Sequence, residues 1–321
     1  MRGKRLPWVI AAIVLSLSFS LWAQAATRIT MGGGAPGGTY YSVVAAMAKV
    51  LEDRSGDIKP AVETTKGSAH ACRLVDAGEL TIGAGLLDTV ARAWNGQREF
   101  KKKLTNLRTV MAFIDIGDAF LVRKDSNIES VADLKGKTLG VSSPASKLAM
   151  DAVLKAHGLQ PGEYKHRFLS YTEQANGLRD KNIDAGYMVV HRMNRTAMEF
   201  MSTVGGRIVG FDSQEAISSF EVDNPVWRSV TLGANTYPGQ AVAIPVAGRH
   251  GLVVAHKDTP PDLIYKLVKT LLAHPGDLKK IHPAASMISL DQTQTYYQKE
   301  LFVVPLHSGA ERYLKEAGVM K

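Results

Sequence analysis

Along this chain, short apolar runs typical of strands alternate with longer segments whose apolar positions have the period of a helix. Short apolar runs at 28–31, 58–63 and 80–84 predict strands, and longer helical patterns at 39–53 and 68–77 predict helices between them. Strands that are separated by helices are typical of an α/β fold, in which helices cover a mainly parallel sheet. The first part of the chain therefore predicts an α/β unit.

A second unit of the same kind begins near Val131. The remaining elements that the pattern predicts are, in chain order, strands 107–113 and 119–123, a short helix at 130–134, strand 137–141, helix 146–157, strand 164–169, helix 173–180, strand 185–190 and helices at 261–273 and from Leu290 onward. Two α/β units of ordinary size fit a chain of 321 residues.

Two segments, 119–126 and 251–259, share one pattern: an apolar strand that ends in a Lys-Asp-Ser or Lys-Asp-Thr turn. Because they bracket the second unit, we expect the chain to cross between two lobes there. The expected boundaries are 26–121 for the first lobe, 122–252 for the second, and 253–321 for a return to the first. A cleft between two such lobes suits closure around a ligand.

The first 25 residues have the features of a secretory signal. Three basic residues precede an uncharged apolar run over 8–22, and Ala23-Gln24-Ala25 fits the small-x-small cleavage pattern. The run is shorter than the roughly 20 residues of a spanning helix, although a retained anchor is the alternative. We expect cleavage near Ala25 and a periplasmic location.

Charge and cysteine content exclude several classes of protein. The net charge is +9, three of these charges lie in the signal, and the basic residues are scattered apart from 101–103. No interleaving of basic and aromatic residues suggests a nucleic-acid partner. The single cysteine, Cys72, cannot form an intrachain disulfide, and with His70 it fits no common metal-ligand spacing. We expect Cys72 to be buried on a helix, and no metal or cofactor.

The glycine-rich stretch 29–41 carries the candidate chemistry. It joins a strand to a helix N-terminus, where free backbone amides and partial positive charge favour an anion. Its glycines also match the dinucleotide fingerprint formally, but the acidic residue that should end the next strand is missing, because Glu52 and Asp53 fall at a helix end. No catalytic cluster is evident, so we expect a binding protein and not an enzyme.

Several motifs together resemble TAXI-type solute-binding proteins of TRAP (tripartite ATP-independent periplasmic) transporters. These motifs are Gly37-Gly38-Thr39-Tyr40-Tyr41, Thr65-Lys66-Gly67-Ser68, the segment from Asp88 to Asn95-Gly96, Val131-Ala132-Asp133-Leu134-Lys135-Gly136-Lys137, Ala234-Asn235-Thr236-Tyr237-Pro238-Gly239-Gln240 and Val304-Pro305-Leu306-His307-Ser308-Gly309-Ala310. The resemblance covers essentially the whole chain after the signal. It implies two α/β lobes of the type II periplasmic-binding-protein kind, a small solute in the cleft, and delivery to TRAP permease subunits in the membrane.

The residues that we expect to contact the solute lie at helix starts or among aromatic groups beside the cleft. They are Gly37, Gly38, Thr39, Tyr40, Gly67, Ser68, Asp88, Ser143, Ser146, Arg192 and Tyr237. Backbone amides at such helix starts would hold a carboxylate, which makes a small organic anion the expected solute. Arg192 is either a bidentate carboxylate clamp or a surface arginine.

The chain departs from the TAXI pattern in three places. It has Leu86-Leu87-Asp88 where Gln-Ser-Asp is frequent, a glycine-poor Ser143-Pro144-Ala145-Ser146 loop, and Val190-His191-Arg192 in place of Gly-Gly. These departures favour a different carboxylate, or a less polar solute, over a glutamate-like amino acid. A solute-binding sensory module of the same fold, signalling to a membrane kinase, is the main alternative function, and an exported enzyme is the lesser one.

Overall fold

A computed structural model describes residues 26–34, 39–191, 194–224 and 227–321. Its strands are β1 Thr27–Gly32, β2 Ile58–Glu63, β3 Ile82–Leu86, β4 Leu107–Ala112, β5 Ile116–Arg123, β6 Thr138–Val141, β7 Lys165–Phe168, β8 Ala185–Val189, β9 Gly206–Val209, β10 Arg228–Leu232, β11 Ile244–Arg249 and β12 Gly251–His256.

The helices connect these strands in the order that an α/β chain requires. They are α1 Thr39–Arg54, α2 Ser68–Asp76, α3 Leu87–Asn95, α4 Pro144–Ala156, α5 Tyr171–Arg179, α6 Arg195–Thr203, α7 Gln214–Asp223, α8 Pro261–Ala273, α9 Pro275–Ile281, α10 Leu290–Gln298 and α11 Ser308–Glu316, with 3-10 turns at Ala132–Leu134 and Pro283–Met287. None of the helices in the described ranges is both long and apolar enough to cross a membrane.

The strands form two separate sheets. The first has the order β2-β1-β3-β12-β4, and the second has the order β10-β11-β5-β8-β6-β7, with β9 paired to β5. Each sheet has its own buried apolar layers, and the layer over β1 includes residues of α1, α8 and α11. Two sheets with separate cores make two lobes.

Both sheets are mixed, although most strands of each sheet share one direction, as the expected mainly parallel sheet requires. β1 runs parallel to β2 and β3, and β6 runs parallel to β7 and β8. However, β12 is antiparallel to β3 and β4, and β5 is antiparallel to β8 and β11. The reason is that β5 and β12 each enter a sheet from the other lobe, and so run against the strands that the βα units supply.

The chain changes sheets at two places. Residues 113–115 lead from β4 in the first sheet to β5 in the second, and His250 leads back from β11 to β12. We propose these two crossovers as the lobe boundaries, slightly before the boundaries that were expected at 121 and 252. Residues of α8, α9 and α11 share the buried core of the first sheet, so we include the C-terminal helices in the first lobe of this proposal.

Local structure follows the sequence closely in most elements. β2 and α8 have the predicted bounds, whereas β3 begins two positions later than its apolar run, at Ile82. Cys72 is fully buried on α2, which confirms the expectation for it. The expected secretory signal at 1–25 lies outside the described residues and stays a prediction.

Candidate functional site

The carboxyl ends of the central strands in both sheets point toward the crossovers. In the first sheet β3 ends at Leu86, opposite Gly251, the first residue after the second crossover. In the second sheet β8 ends at Val189, opposite Asp118 near the start of β5. In open α/β sheets, ligands bind in the crevice outside the carboxyl ends of the strands. The space between the two sheets is therefore the candidate site.

The glycine turn after β1 forms one part of the first wall. A side chain at Gly33 would lie 2.4 Å from Val44 Cγ2, so only glycine lets the turn pack on α1. Gly34 has a φ of +97°, and its amide donates to Thr65 Oγ1 at 2.8 Å. Thr39 is exposed and begins α1. The predicted contacts Gly37 and Gly38 lie outside the described residues and stay predictions.

Tyr40 points from α1 into the junction of the two lobes. Its ring packs edge to face on Phe113, with ring centroids 4.8 Å apart. Its hydroxyl packs so closely on Gly251 that a Cβ added to that glycine would be 2.7 Å from the hydroxyl oxygen. Part of the residue is exposed, but the hydroxyl is buried and has no hydrogen-bond partner among the described residues. Burial raises the pKa of this phenol far above its usual value. A buried neutral hydroxyl is thus available for a ligand.

Gly67 and Ser68 begin the second helix of this wall. Gly67 has a φ of +93°, which favours glycine, and a Cβ there would contact nothing within 4 Å. The Ser68 hydroxyl accepts a hydrogen bond from the Leu86 amide at 3.0 Å, and so ties the end of β3 to the start of α2. Both residues lie at the carboxyl edge of the first sheet, where the sequence predicts contact with the solute.

Asp88 is in the first turn of α3 and is already paired. Its carboxylate accepts from the Thr89 amide at 2.8 Å and from Arg92 Nη1 at 2.7 Å. Arg92 also donates to Glu99 at 3.1 Å, so one cation bridges two carboxylates. The predicted contact at Asp88 therefore belongs to a local charge network, which faces a cavity of about 380 Å³ that also touches Trp227 of the second lobe.

Serine hydroxyls cluster at the facing helix start in the second lobe. Ser143 caps α4, because its oxygen accepts from the Ser146 amide at 3.1 Å. Its hydroxyl donates to Ser146 Oγ at 3.1 Å, and Ser142 Oγ is within 3.1 Å of the same atom. Ser146 is buried. The structure brings the two predicted serines together at the carboxyl end of β6.

A buried ion pair, which sequence reasoning missed, joins β5 and β11 of the second sheet. Arg249 Nε donates to Asp118 Oδ2 at 2.6 Å and Nη2 donates to Oδ1 at 3.1 Å, with both side chains at most 8% exposed. Close to this pair, the Tyr187 hydroxyl is buried without a hydrogen-bond partner among the described residues. Burial raises the pKa of Tyr187 well above its usual value, so this phenol is also neutral.

A second polar cluster joins the two crossovers. Asp115 accepts hydrogen bonds from the Tyr296 hydroxyl and from Gln292 Nε2 at 2.7 Å, and its Oδ1 is 2.7 Å from His250 Nδ1. Burial opposes ionisation of Asp115, but the hydrogen bonds with His250, Tyr296 and Gln292 outweigh it and lower the pKa of this carboxyl. Asp115 is therefore a buried carboxylate that holds both crossovers to α10.

Tyr237 is placed to support the site from behind. Its side chain is buried in the second lobe, and its hydroxyl donates to the Val190 carbonyl at 2.7 Å and accepts from the Asn194 amide at 2.8 Å. These two bonds bracket the segment that contains Arg192, which itself lies outside the described residues. Direct contact of Tyr237 and Arg192 with a solute stays a prediction.

A further cavity, of about 440 Å³, lies between the lobes. From the second lobe it is lined by His191, Leu232, Gly233 and Thr236, and from the first lobe by the 282–284 segment. In the parts of the chain that the structure describes, no three His, Cys, Asp or Glu side chains are grouped to hold a metal ion.

A family model described as the NMT1-like family matches residues 31–318. The chain belongs to the NMT1-like family. The TAXI subtype that the motifs resemble is a finer assignment, which stays a prediction.

Solved structures show which fold this NMT1-like protein has. One is a putative sulfonate ABC transporter periplasmic sulfonate-binding protein from Methylobacillus flagellatus KT, 14% identical, with a TM-score of 0.53 over 92% of this chain and 96% of that chain. Another is described as a periplasmic transporter; it is 15% identical, and the match has a TM-score of 0.52 and covers 93% of this chain and 94% of that chain. A third, from Xanthomonas citri and bound to ATP, is 15% identical, and the match has a TM-score of 0.50 and covers 92% of this chain and 97% of that chain. These likenesses confirm the two-lobe, type II-like periplasmic-binding-protein fold.

The ion pair Asp118–Arg249 of this NMT1-like protein had a signal in the sequence. Each of the two similar strands that bracket the second lobe is preceded by ionisable residues, Asp115 and Asp118 before one, Arg249 and His250 before the other. Charges immediately before fully apolar strands would be buried at the crossovers, and buried charges need partners. Pairing of the acidic residues with the basic ones could therefore be inferred from the sequence alone.

Proposed function

We propose that this NMT1-like protein is an exported solute-binding receptor, which captures a small organic anion between its lobes and delivers it to a membrane transporter. One observation carries the proposal: near the crossovers that join the two sheets, the buried hydroxyls of Tyr40 and Tyr187 lack hydrogen-bond partners among the described residues. Buried polar groups are nearly always hydrogen-bonded, so unpartnered ones at the junction of two lobes suit a ligand.

Helix starts support the choice of an anion. α1 and α2 begin at the carboxyl edge of the first sheet, and α4 begins at that of the second. Helix N-termini carry partial positive charge, and from two lobes they would hold a carboxylate without an unpaired buried cation. The serines at the start of α4 add hydroxyl donors. We include Arg192 in the proposed site as a clamp on the same carboxylate.

Two observations point to different classes of membrane transporter as the partner. The Methylobacillus structure is described as an ABC transporter binding protein, whereas the motifs of this chain resemble TAXI proteins of TRAP transporters. We favour a TRAP permease and a periplasmic location, because the resemblance rests on motifs of this chain and the likeness to the solved structures is one of fold. Uptake into vesicles that hold the permease would then depend on an ion gradient and not on ATP.

The first experiment is a thermal-shift screen of residues 26–321 with small carboxylates, amino acids, sulfonates and neutral solutes. A compound that binds only the folded state raises the melting temperature. We expect a clear shift with one class of organic anion. Mass spectrometry of the denatured protein, run in parallel, identifies any solute that co-purifies. If no compound shifts the melting temperature and no solute co-purifies, the proposed function is wrong.

A further inference from the structure

We infer that the 440 Å³ cavity between the lobes holds the uncharged body of the solute. The cargo is then a monocarboxylate with an aliphatic or aromatic body, and not a dicarboxylate or a glutamate-like amino acid. This inference rests on the proposed function and names its substrate class.

The cavity belongs to the same cleft as the proposed anion site. His191 comes two residues after Val189, which ends β8 at the crossover side of the second sheet. On the first lobe, the 282–284 segment precedes Gln292, which contacts Asp115 at the crossover. Both walls of the cavity therefore connect to the crossovers, and a solute between the lobes would have its carboxylate at the helix starts and its body here.

The lining of the cavity has the chemistry of an uncharged group. Among the residues that the structure describes, it consists of two imidazoles, a threonine, a glycine, and the apolar side chains of Leu232, Pro283 and Ala284, with no Asp, Glu, Lys or Arg. A second carboxylate or an ammonium group placed here would lose water without meeting a fixed opposite charge among these side chains, which is costly. A volume of this size is within the range of small-molecule pockets.

One wall of the cavity is fixed in advance. The His191 amide donates to the Gly117 carbonyl at 3.1 Å, and a Cβ at Gly117 would come within 2.8 Å of His191 Cβ. On either side of His191 in the sequence, the Tyr237 hydroxyl donates to the Val190 carbonyl and accepts from the Asn194 amide. A wall that is held at both ends suits a solute of defined shape, because little ordering remains for binding to require.

Gly233 offers a direct test, because a larger side chain there would enter the cavity. The nearest atom to a Cβ at Gly233 is Thr236 Oγ1 at 3.8 Å, and the backbone does not need glycine. Its carbonyl stays held by Thr236 Oγ1 at 2.6 Å and by Gln240 Nε2 at 3.0 Å. The matched control is Gly276→Leu in α9, where the residue is exposed and a Cβ meets nothing within 4 Å.

The probes are phenylacetate, hexanoate, glutarate and glutamate, titrated by calorimetry into the unaltered protein and both variants. We expect phenylacetate or hexanoate to bind more tightly than glutarate and glutamate, and Gly233→Leu to weaken that binding by about tenfold or more. Gly276→Leu should leave it unchanged. Melting curves of both variants without probe confirm that each is folded.

Three results would overturn the inference. The first is tighter binding of glutarate or glutamate than of both monocarboxylates. The second is equal affinity of Gly233→Leu and the unaltered protein for the bound monocarboxylate. The third is a co-purified solute with a charge at each end. Any of these leaves the proposed solute-binding function in place, with a different cargo or a different position of its body, whereas no binding by any probe and no co-purified solute refutes the proposed function as well.

Discussion

Two tyrosines of the lobe junction make a matched pair for mutation, because their hydroxyls lie in opposite environments. The Tyr40 hydroxyl is buried without a partner among the described residues. The Tyr296 hydroxyl donates to Asp115 and accepts from the Gly251 amide at 3.2 Å. Tyr40→Phe and Tyr296→Phe therefore remove the same atom, and we expect their effects on stability to have different signs.

The magnitudes follow from hydrogen bonding. A buried polar group without a partner costs about 1–3 kcal/mol, so Tyr40→Phe should leave the free energy of unfolding unchanged or raise it by up to that amount. Tyr296→Phe takes a donor from a buried carboxylate and an acceptor from a backbone amide. Because hydrogen bonds to charged groups are worth about 1.5–3 kcal/mol, this variant should lose at least that much.

Urea denaturation of residues 26–321 without added solute measures both values. Each variant loses one oxygen and keeps its ring, so packing changes cancel in the comparison. Equal destabilisation by the two substitutions would refute the argument, because it would mean that the Tyr40 hydroxyl is satisfied within the protein. A calorimetric titration then separates the roles: Tyr40→Phe should weaken binding of the identified solute about tenfold, the loss of one hydrogen bond.

Three further predictions concern stability alone. Arg249→Met should lower the free energy of unfolding by about 3–5 kcal/mol in urea denaturation, because it leaves Asp118 buried and unpaired; a loss below about 1 kcal/mol would show a solvated pair. The pKa of Asp115 is lowered, so its contribution to stability is full above the unfolded-state pKa near 4 and is lost as pH falls through the lower folded pKa. The stability gap between the unaltered protein and Asp115→Asn, measured by urea midpoints, should therefore shrink below about pH 4, and a constant gap would contradict this. Gly117→Ala should cost about 1–3 kcal/mol by overpacking, while Gly276→Ala should cost nothing, and equal melting temperatures would contradict it.

The fold was predictable because helical and strand periods are local properties. β2, α1 and α8 were recognised within about a residue of their bounds, since each has a clear apolar face. α3, α6 and α7 were not recognised. The mixed sheets were also missed, because the direction of β5 and β12 depends on which lobe each strand enters, and no local period encodes that.

For the candidate site, the sequence indicates helix starts but not side-chain partners. Ser143 and Ser146 lie at the expected helix start, because a cap is a local structure, and their contact with a solute stays a prediction. Asp88 was expected to face a solute but also pairs with Arg92, a partner on the same helix that spacing alone would have suggested. Tyr237 holds a loop through its hydroxyl, and such a role needs the tertiary structure to be seen.

The two crossovers are linked by the register of one antiparallel pair. Asp118 lies opposite Ala247, Gly117 opposite Gly248, and Ile116 opposite Arg249, so the next step in this register sets Asp115 opposite His250. The hydrogen bonds of Asp115 with α10 hold residues 115 and 250 against the first lobe. The ion pair of Asp118 with Arg249 holds β5 and β11 together in the second lobe. Rotation of one lobe against the other must therefore bend both strands between these two polar clusters. It follows that a change at Asp115 should alter how the lobes move together, and a change at Arg249 should alter the stability of the second lobe.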